Sequence, residues 1–322
     1  MSPRPPGSRP LRTLLAALVA ASVAVPVSGA ARPSAVPAPV PVALAPLRSP
    51  GPGVLAERYA VNRDGIRAAE RMAEGHGDRA RAGALRVMAG PARQFLSFDG
   101  RNGGRTVEVV GDLARADRIA VLVPGSDTNL DRYGRLRAGA TALRQELGER
   151  SAVLAWVGYE TPATVSTRVV TPGLAEEAAP QLRAFVREVA ALRPPARITV
   201  LCHSYGSVVC GKAASGLDAA DIVLYGSPGA GADSVAALHT RATVWAGRGE
   251  DDWIADVPHT QLHLPFFTLG LGADPVSPAF GARLFPAGAG GHSDYLEPGS
   301  VSLHSLARIV SGQDPAKEGH RA

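Results

Sequence analysis

No basic stripe, no internal repeat and no convincing metal-ligand motif runs through this chain. The first absence leaves nucleic-acid binding without the clustered Lys and Arg it needs. The second excludes solenoids and repeat arrays. His259 and His263 are four apart, the spacing of a metal pair on a helix, but Pro258 and Pro265 bracket them and no carboxylate follows at zincin spacing. Neither a metal nor a cofactor is expected. Cysteine is scarce, with only Cys202 and Cys210. The first falls at a strand end and the second on the next helix, so the pair either forms a disulfide or stays as two buried thiols.

The N-terminus has the layout of an export leader. Arg4, Arg9 and Arg12 form a basic region, Leu14 to Val27 is apolar, and Ser28-Gly29-Ala30 offers small residues for cleavage. The apolar run is too short for a retained membrane anchor. No twin-arginine pair is present, which favours the general secretory route. The expectation is a signal peptide over residues 1–30, a secreted, extracellular protein and no stable membrane span after cleavage. Losing three arginines and no acid would bring the formal net charge from +5 to +2, so the basic balance belongs partly to the leader.

What is present is a globular composition, 45% hydrophobic and 20% charged, over a length that suits one large α/β domain or two small ones. Residues 31–53, rich in Pro, Ala and Val, read as a solvated linker. Residues 54–92 read as a helical extension, with Leu55, Tyr59, Ile66, Ala69 and Met72 on one face and a break at Gly75-His76-Gly77. It either packs on the main domain or bridges to a partner. Residues 93–312 form the expected catalytic domain, and 313–322 a disordered tail.

That domain opens with a hairpin, Arg93–Asp99 and Arg105–Val110 around a Gly-rich turn. Apolar strands then alternate with helical patterns. The strands are Ile119–Val123, Ala152–Val157, Ile198–Leu201, Asp221–Tyr225, Ala242–Ala246 and a short Ala282–Phe285. The helices are Tyr133–Leu147, Leu174–Leu192, Val208–Ser215 and Ser300–Val310. Such alternation predicts a mostly parallel central sheet with helices on both faces and an antiparallel hairpin at its N-terminal edge. Functional loops then belong at the carboxyl ends of the strands.

The third strand of the central run leads into Cys202-His203-Ser204-Tyr205-Gly206 and then a small-residue helix. Strand, Ser, small residue, helix is the layout of a nucleophile elbow, with Cys202 where Gly is usual. A Ser hydroxyl needs an imidazole to take its proton and a carboxylate to fix that imidazole. In this layout the chain order is Ser, acid, His. Asp251 and Asp252 follow one strand end and His292 follows the last. Asp252 is preferred to Asp251 because Trp253-Ile254 gives a buried acid an apolar anchor. Ser204, Asp252 and His292 are therefore the expected catalytic triad. The oxyanion hole is expected at the amides of Tyr205 and Ser126, the latter in the Gly-containing loop after Val123.

Neighbouring residues receive plainer assignments. His203 is expected to pack structurally against the sheet, and Asp294 to cap a helix or a loop. Between the acid and the base, Pro258 to Gly281 shows little regular pattern. It is either a packed loop or a rim offering an acyl pocket through Leu264, Phe266, Phe267 and Leu269. Trp156, Gly158, Tyr159 and the Thr161–Val170 loop are candidates for the opposite wall.

The set P-G-S, A-W-V-G-Y-E-T-P, C-H-S-Y-G-S, Y-G-S-P-G, D-D-W-I, L-G-A-D-P with F-G-A-R, and G-H-S-D-Y-L resembles an actinobacterial α/β-hydrolase family formerly catalogued as a domain of unknown function. The resemblance covers Arg93 to Val310. It implies the α/β-hydrolase fold and a serine-hydrolase triad at Ser204, Asp252 and His292. It implies little about substrate.

Three functions compete at this stage. One is an exported serine hydrolase cleaving a small-molecule or lipid-like ester; amidase or acyltransferase chemistry would use the same residues. The second is a non-catalytic exported binding module, which predicts loss of a triad member, and none is lost. The third, a cell-wall structural protein, has only the Pro-rich stretch behind it. Nothing in the sequence sets the oligomeric state.

Overall fold

Runs of Val, Ile, Leu and Ala buried on both faces make the middle of a single sheet. In the computed structural model, which describes residues 36–47, 51–263 and 268–318, this sheet has eight strands. They are β1 (Gln94–Asp99), β2 (Arg105–Gly111), β3 (Arg118–Val123), β4 (Ser151–Val157), β5 (Arg197–His203), β6 (Asp221–Tyr225), β7 (Thr243–Gly247) and β10 (Arg283–Leu284), in the order β1-β2-β4-β3-β5-β6-β7-β10. Pairing from β4 to β10 is parallel, and β2 runs antiparallel to both β1 and β4. All seven residues of β4 are buried, as a central strand covered on both faces requires.

Alternate residues of each strand feed opposite cores. Ile119, Val121 and Val123 join one cluster, with α4 (Gly173–Leu192) and α5 (Gly206–Ala213); Ala120 and Leu122 join the other, with α3 (Gly134–Leu147) and α6 (Val301–Val310). The fold is therefore a mostly parallel α/β sheet wrapped on both sides, with the antiparallel pair at its N-terminal edge, as the residue pattern predicts.

The N-terminal helices are integral to it. α1 (Pro52–Gly75) and α2 (Arg79–Met88) break at the expected Gly-His-Gly. Ile66, Ala69, Ala73, Ala82 and Leu85 are buried in the same cluster as Phe95 and Phe98 of β1. Of the two readings of this extension, packing on the domain is what the structure displays. Met72 is a correction: it is exposed, and Ala73, seven residues after Ile66, takes the buried position instead.

Other boundaries also shift. α1 starts at Pro52, where the fixed φ of Pro suits a first helical turn. Residues 36–47 are not a solvated linker: Leu47 is buried, its N–H donates to Glu188 Oε1 at 2.8 Å, and Val36 and Ala38 pack against the core. The segment lies across the domain as a strap. Residues 258–281 are more regular than expected, with β8 (Gln261–His263) and β9 (Thr268–Gly270) forming an antiparallel pair. The expected disordered tail begins with ordered chain, since Gln313 N–H donates to Arg308 O and Pro315–Glu318 forms a 3-10 turn. The leader over 1–30 and the first part of the linker, together with Leu264, Phe266 and Phe267, lie outside the described residues. No described helix is long and apolar enough to cross a membrane.

Candidate active site

The elbow forms where β5 meets α5. Ser204 is held at φ 53°, in the left-handed region that non-glycine residues rarely enter. Its backbone is pinned on both sides: Ser204 N–H donates to Tyr225 O at 3.1 Å, and Ser207 N–H donates to Ser204 O at 2.9 Å. Cys202 and Cys210 are joined in a disulfide, with Cα atoms 6.4 Å apart. The bridge closes a short ring around the turn, and both residues are fully buried. Of the two readings of the cysteines, the structure has the bridged one.

Three strand ends bring three side chains together. The Nε2 of His292 lies 2.9 Å from Ser204 Oγ, and its Nδ1 lies 2.8 Å from Asp252 Oδ1. An ionised carboxylate only accepts, so Nδ1 carries the proton and Nε2 presents a lone pair to the Ser hydroxyl. Asp252 is 2% exposed, whereas Asp251 points into solvent, so Asp252 is the acid that reaches the histidine. Burial pushes the Asp252 carboxyl up, but hydrogen bonds from His292, Tyr295 and the Ile254 amide outweigh it and hold the group below the usual carboxylate range. Of its two readings, Asp294 takes the loop cap, accepting from Gly291 N–H at 2.9 Å.

The two amides expected to meet the oxyanion belong to the elbow and to the loop packed on it. Tyr205, directly after Ser204, opens α5, and Ser126 sits in the loop after β3. Among the described residues neither N–H has a hydrogen-bond acceptor. The β3 loop touches the elbow closely: a Cβ added at Gly125 would lie 2.6 Å from Ser204 Cβ. Tyr159 braces this loop from behind, its OH donating to Pro124 O at 2.7 Å, and Asp127 N–H donates to Pro162 O at 2.9 Å. Tyr205 OH reaches Thr171 O at 2.7 Å, so the loop after β4 borders the elbow.

Not every expected wall residue is here. Trp156 and Gly158 face a separate cavity of about 480 Å³ beneath the 36–47 strap, with Phe185 and Glu188. The period of two along β4 places Trp156 on the opposite core from the one that carries Val153, Ala155 and Val157. His259 turns Nδ1 toward Pro228 O at 3.0 Å; the side chain of His263 lies outside the described residues. Leu269 is exposed on β9.

Sequence reasoning missed three neighbours. Tyr295 OH donates to Asp252 Oδ2 at 2.5 Å. His203 does pack against the sheet, on Tyr225, but its Nε2 also reaches His292 O at 2.7 Å. Burial and the nearby His292 push His203 down to about 4, so it stays neutral. Gly226, at φ 54°, admits the cluster: a Cβ there would come within 3.0 Å of both Asp252 Oδ2 and Tyr295 Cε2. The usable signal was the need of a buried acid for more than one donor, with Tyr295 in the same motif as His292.

A strand–elbow–helix at the centre of this sheet defines the class as α/β hydrolase. The chain belongs to the Abhydrolase_8 alpha/beta hydrolase family, whose match covers residues 99–262 and so includes Ser204 and Asp252 but not His292. The resemblance drawn from the motifs is thus borne out. Among relatives, Rv2079 of Mycobacterium tuberculosis H37Rv, an uncharacterized protein, is 30% identical over 255 residues, 69% of this chain and 39% of that protein. Rv0963c of the same strain, also uncharacterized, is 32% identical over 161 residues, 44% of this chain and 60% of that protein. The chain thus spans less than two thirds of the length of these relatives. Among solved structures, the α/β serine hydrolase XC6422 from Xanthomonas campestris aligns at a TM-score of 0.43 and 17% identity, over 69% of this chain and 95% of that one.

Proposed function

We propose that the protein is an exported serine hydrolase that cleaves carboxylic esters, of small-molecule or lipid-like type, through Ser204, His292 and Asp252. The observation that carries this reading is the continuous hydrogen-bonded path from Ser204 Oγ through His292 to Asp252, on an elbow with Ser204 at φ 53°. Family membership supports the hydrolase class.

The chemistry follows from the proton positions. His292 Nε2 takes the Ser204 proton as Oγ attacks the ester carbonyl carbon. The carbonyl oxygen gains negative charge and is met by the Tyr205 and Ser126 amides. Asp252 stabilises the imidazolium and keeps the ring in its tautomer. The tetrahedral intermediate collapses, the alkoxide leaves with the proton from Nε2, and the acyl group stays on Oγ. Water then attacks this acyl-enzyme, giving its proton to Nε2, which returns it to Oγ as the carboxylic acid departs. An amine or alcohol acceptor in place of water would make the same residues a transferase.

Export is part of the proposal. It rests on the basic–apolar–small N-terminus and is supported by the Cys202–Cys210 disulfide, a bond suited to oxidising compartments.

The test is fluorophosphonate labelling of the full chain, with Ser204→Ala as control, followed by p-nitrophenyl esters of increasing acyl length. Labelling lost in Ser204→Ala is expected. Labelling that survives the substitution, or none in folded wild type, overturns the nucleophile. Labelling without cleavage of any ester moves the activity to amides or acyl transfer.

A further inference from the structure

We propose that Tyr295 is a positioning residue for the acid, a fourth side chain in line behind Ser204, His292 and Asp252. The proposal rests on the reading of those three as the triad.

The hydrogen-bond accounting around Asp252 supports it. Oδ1 accepts from His292 Nδ1 at 2.8 Å and from Ile254 N–H at 2.9 Å. Oδ2 has one side-chain donor, the Tyr295 hydroxyl at 2.5 Å. The direction of that bond is set from behind: Gly249 N–H donates to the Tyr295 oxygen at 2.9 Å, so the phenol proton is free to point at the carboxylate. Each oxygen of the acid is thereby fixed, and the carboxylate cannot rotate without breaking a charge-assisted bond.

Tyr295 is itself held rigidly. It is 3% exposed and packs edge-on against Tyr225, with ring centroids 5.2 Å apart. Its carbonyl accepts from Ser302 Oγ at 2.8 Å, tying it to the first turn of α6. It lies three positions after His292, so one loop delivers both the candidate base and the clamp on the acid. Burial and the Asp252 carboxylate push the phenol well above its ordinary range, so it remains a donor. The other ionisable groups near this line are His203, its ring tilted against both His292 and Tyr295, Tyr225, Arg135, which donates to Ser293 Oγ at 2.8 Å, and Arg248, which is paired with Asp274 at 2.8 Å.

A buried Tyr that merely fills space would affect stability alone. One that shares the charge of Asp252 also sets how strongly the acid favours a protonated base. Two substitutions separate these roles. Tyr295→Phe removes the donor, leaving more charge on Asp252. Replacing Tyr295 by 3,5-difluorotyrosine strengthens the donor and keeps the shape.

The readout is the second-order rate of fluorophosphonate labelling across pH, on full-length protein whose melting profile is recorded alongside. Tyr295→Phe is expected to slow labelling about tenfold to a hundredfold, the range of a hydrogen bond to a charged group. Its acidic limb should move to higher pH, and that of the fluorinated protein to lower pH. Both proteins folded, with wild-type rates and unmoved limbs, would overturn the proposal. If Tyr295→Phe fails to fold, the fluorinated protein decides alone, and an unmoved acidic limb refutes the role. Absence of labelling at Ser204 in the wild type would instead refute the triad reading, so the two failures are distinct.

Discussion

His203 donates its Nε2–H to the backbone carbonyl of His292 at 2.7 Å, so the residue just before the candidate nucleophile holds the candidate base. The rings lie against each other with centroids 4.8 Å apart. A second cation there would oppose the imidazolium that the proposed mechanism forms on His292, and burial keeps His203 neutral.

That arrangement makes stability depend on pH. The His203 pKa is lowered to about 4 by burial, against 6.5 when exposed. Between these values the unfolded chain binds the proton and the folded chain does not, so stability falls as pH drops from 6.5 toward 4. The loss at full effect is about 3 kcal/mol. Urea unfolding at pH 7 and pH 4.5 should display it. In His203→Gln, whose amide can still donate to His292 O, this part of the loss should disappear.

The two adjacent aspartates should behave very differently. Asp252→Asn leaves the shape intact but favours the wrong His292 tautomer, and labelling should fall roughly 10³- to 10⁴-fold. Asp251→Asn, at an exposed position, should stay within about twofold of wild type. Equal losses would contradict the assignment.

The oxyanion corner can be probed through its backbone. Gly125→Ala drives a methyl to 2.6 Å from Ser204 Cβ and must displace the β3 loop that carries the Ser126 amide. Labelling should drop by about 10² or more. Ser126→Ala keeps the amide and should remain close to wild type. A strong loss in Ser126→Ala would point to its hydroxyl instead.

Removing the bridge should loosen the elbow. For so short a ring, Cys202→Ala with Cys210→Ala is expected to cost ~2–3 kcal/mol by the chain-entropy account. Denaturant midpoints of the double variant, against wild type in the oxidised state, measure this. Intact-mass spectra before and after reduction establish the bond itself.

Much of this molecule was legible because its signals are local. The apolar runs Ile119–Val123 and Ala152–Val157 announce central strands, and Pro194-Pro195 stops α4 close to where it ends. Chain order and position after strands, which depend only on topology, single out Ser204, Asp252 and His292, and the structure brings the three within hydrogen-bond reach. Contacts between remote segments were not legible. His203 and His292 are 89 residues apart, and Tyr295 reaches Asp252 across 43. The strap over 36–47 has linker composition, yet it is tied to remote segments, with Leu47 N–H bonded to Glu188 of α4 and Val36 and Ala38 packed on the core. Trp156 lines the cavity beneath the strap, beside Phe185 and Glu188 of α4, neighbours that a local motif does not announce.

β10 consists of two exposed residues, Arg283 and Leu284, at the edge of the sheet, and the loop bearing His292 follows it. So short a strand gives that loop almost no ladder to hang from. Its anchorage comes sideways, from Asp252, His203, Gly249 and Ser302. Substitutions along this margin are therefore expected to disturb the candidate triad little, and substitutions in the interior residues that grip the loop to disturb it strongly.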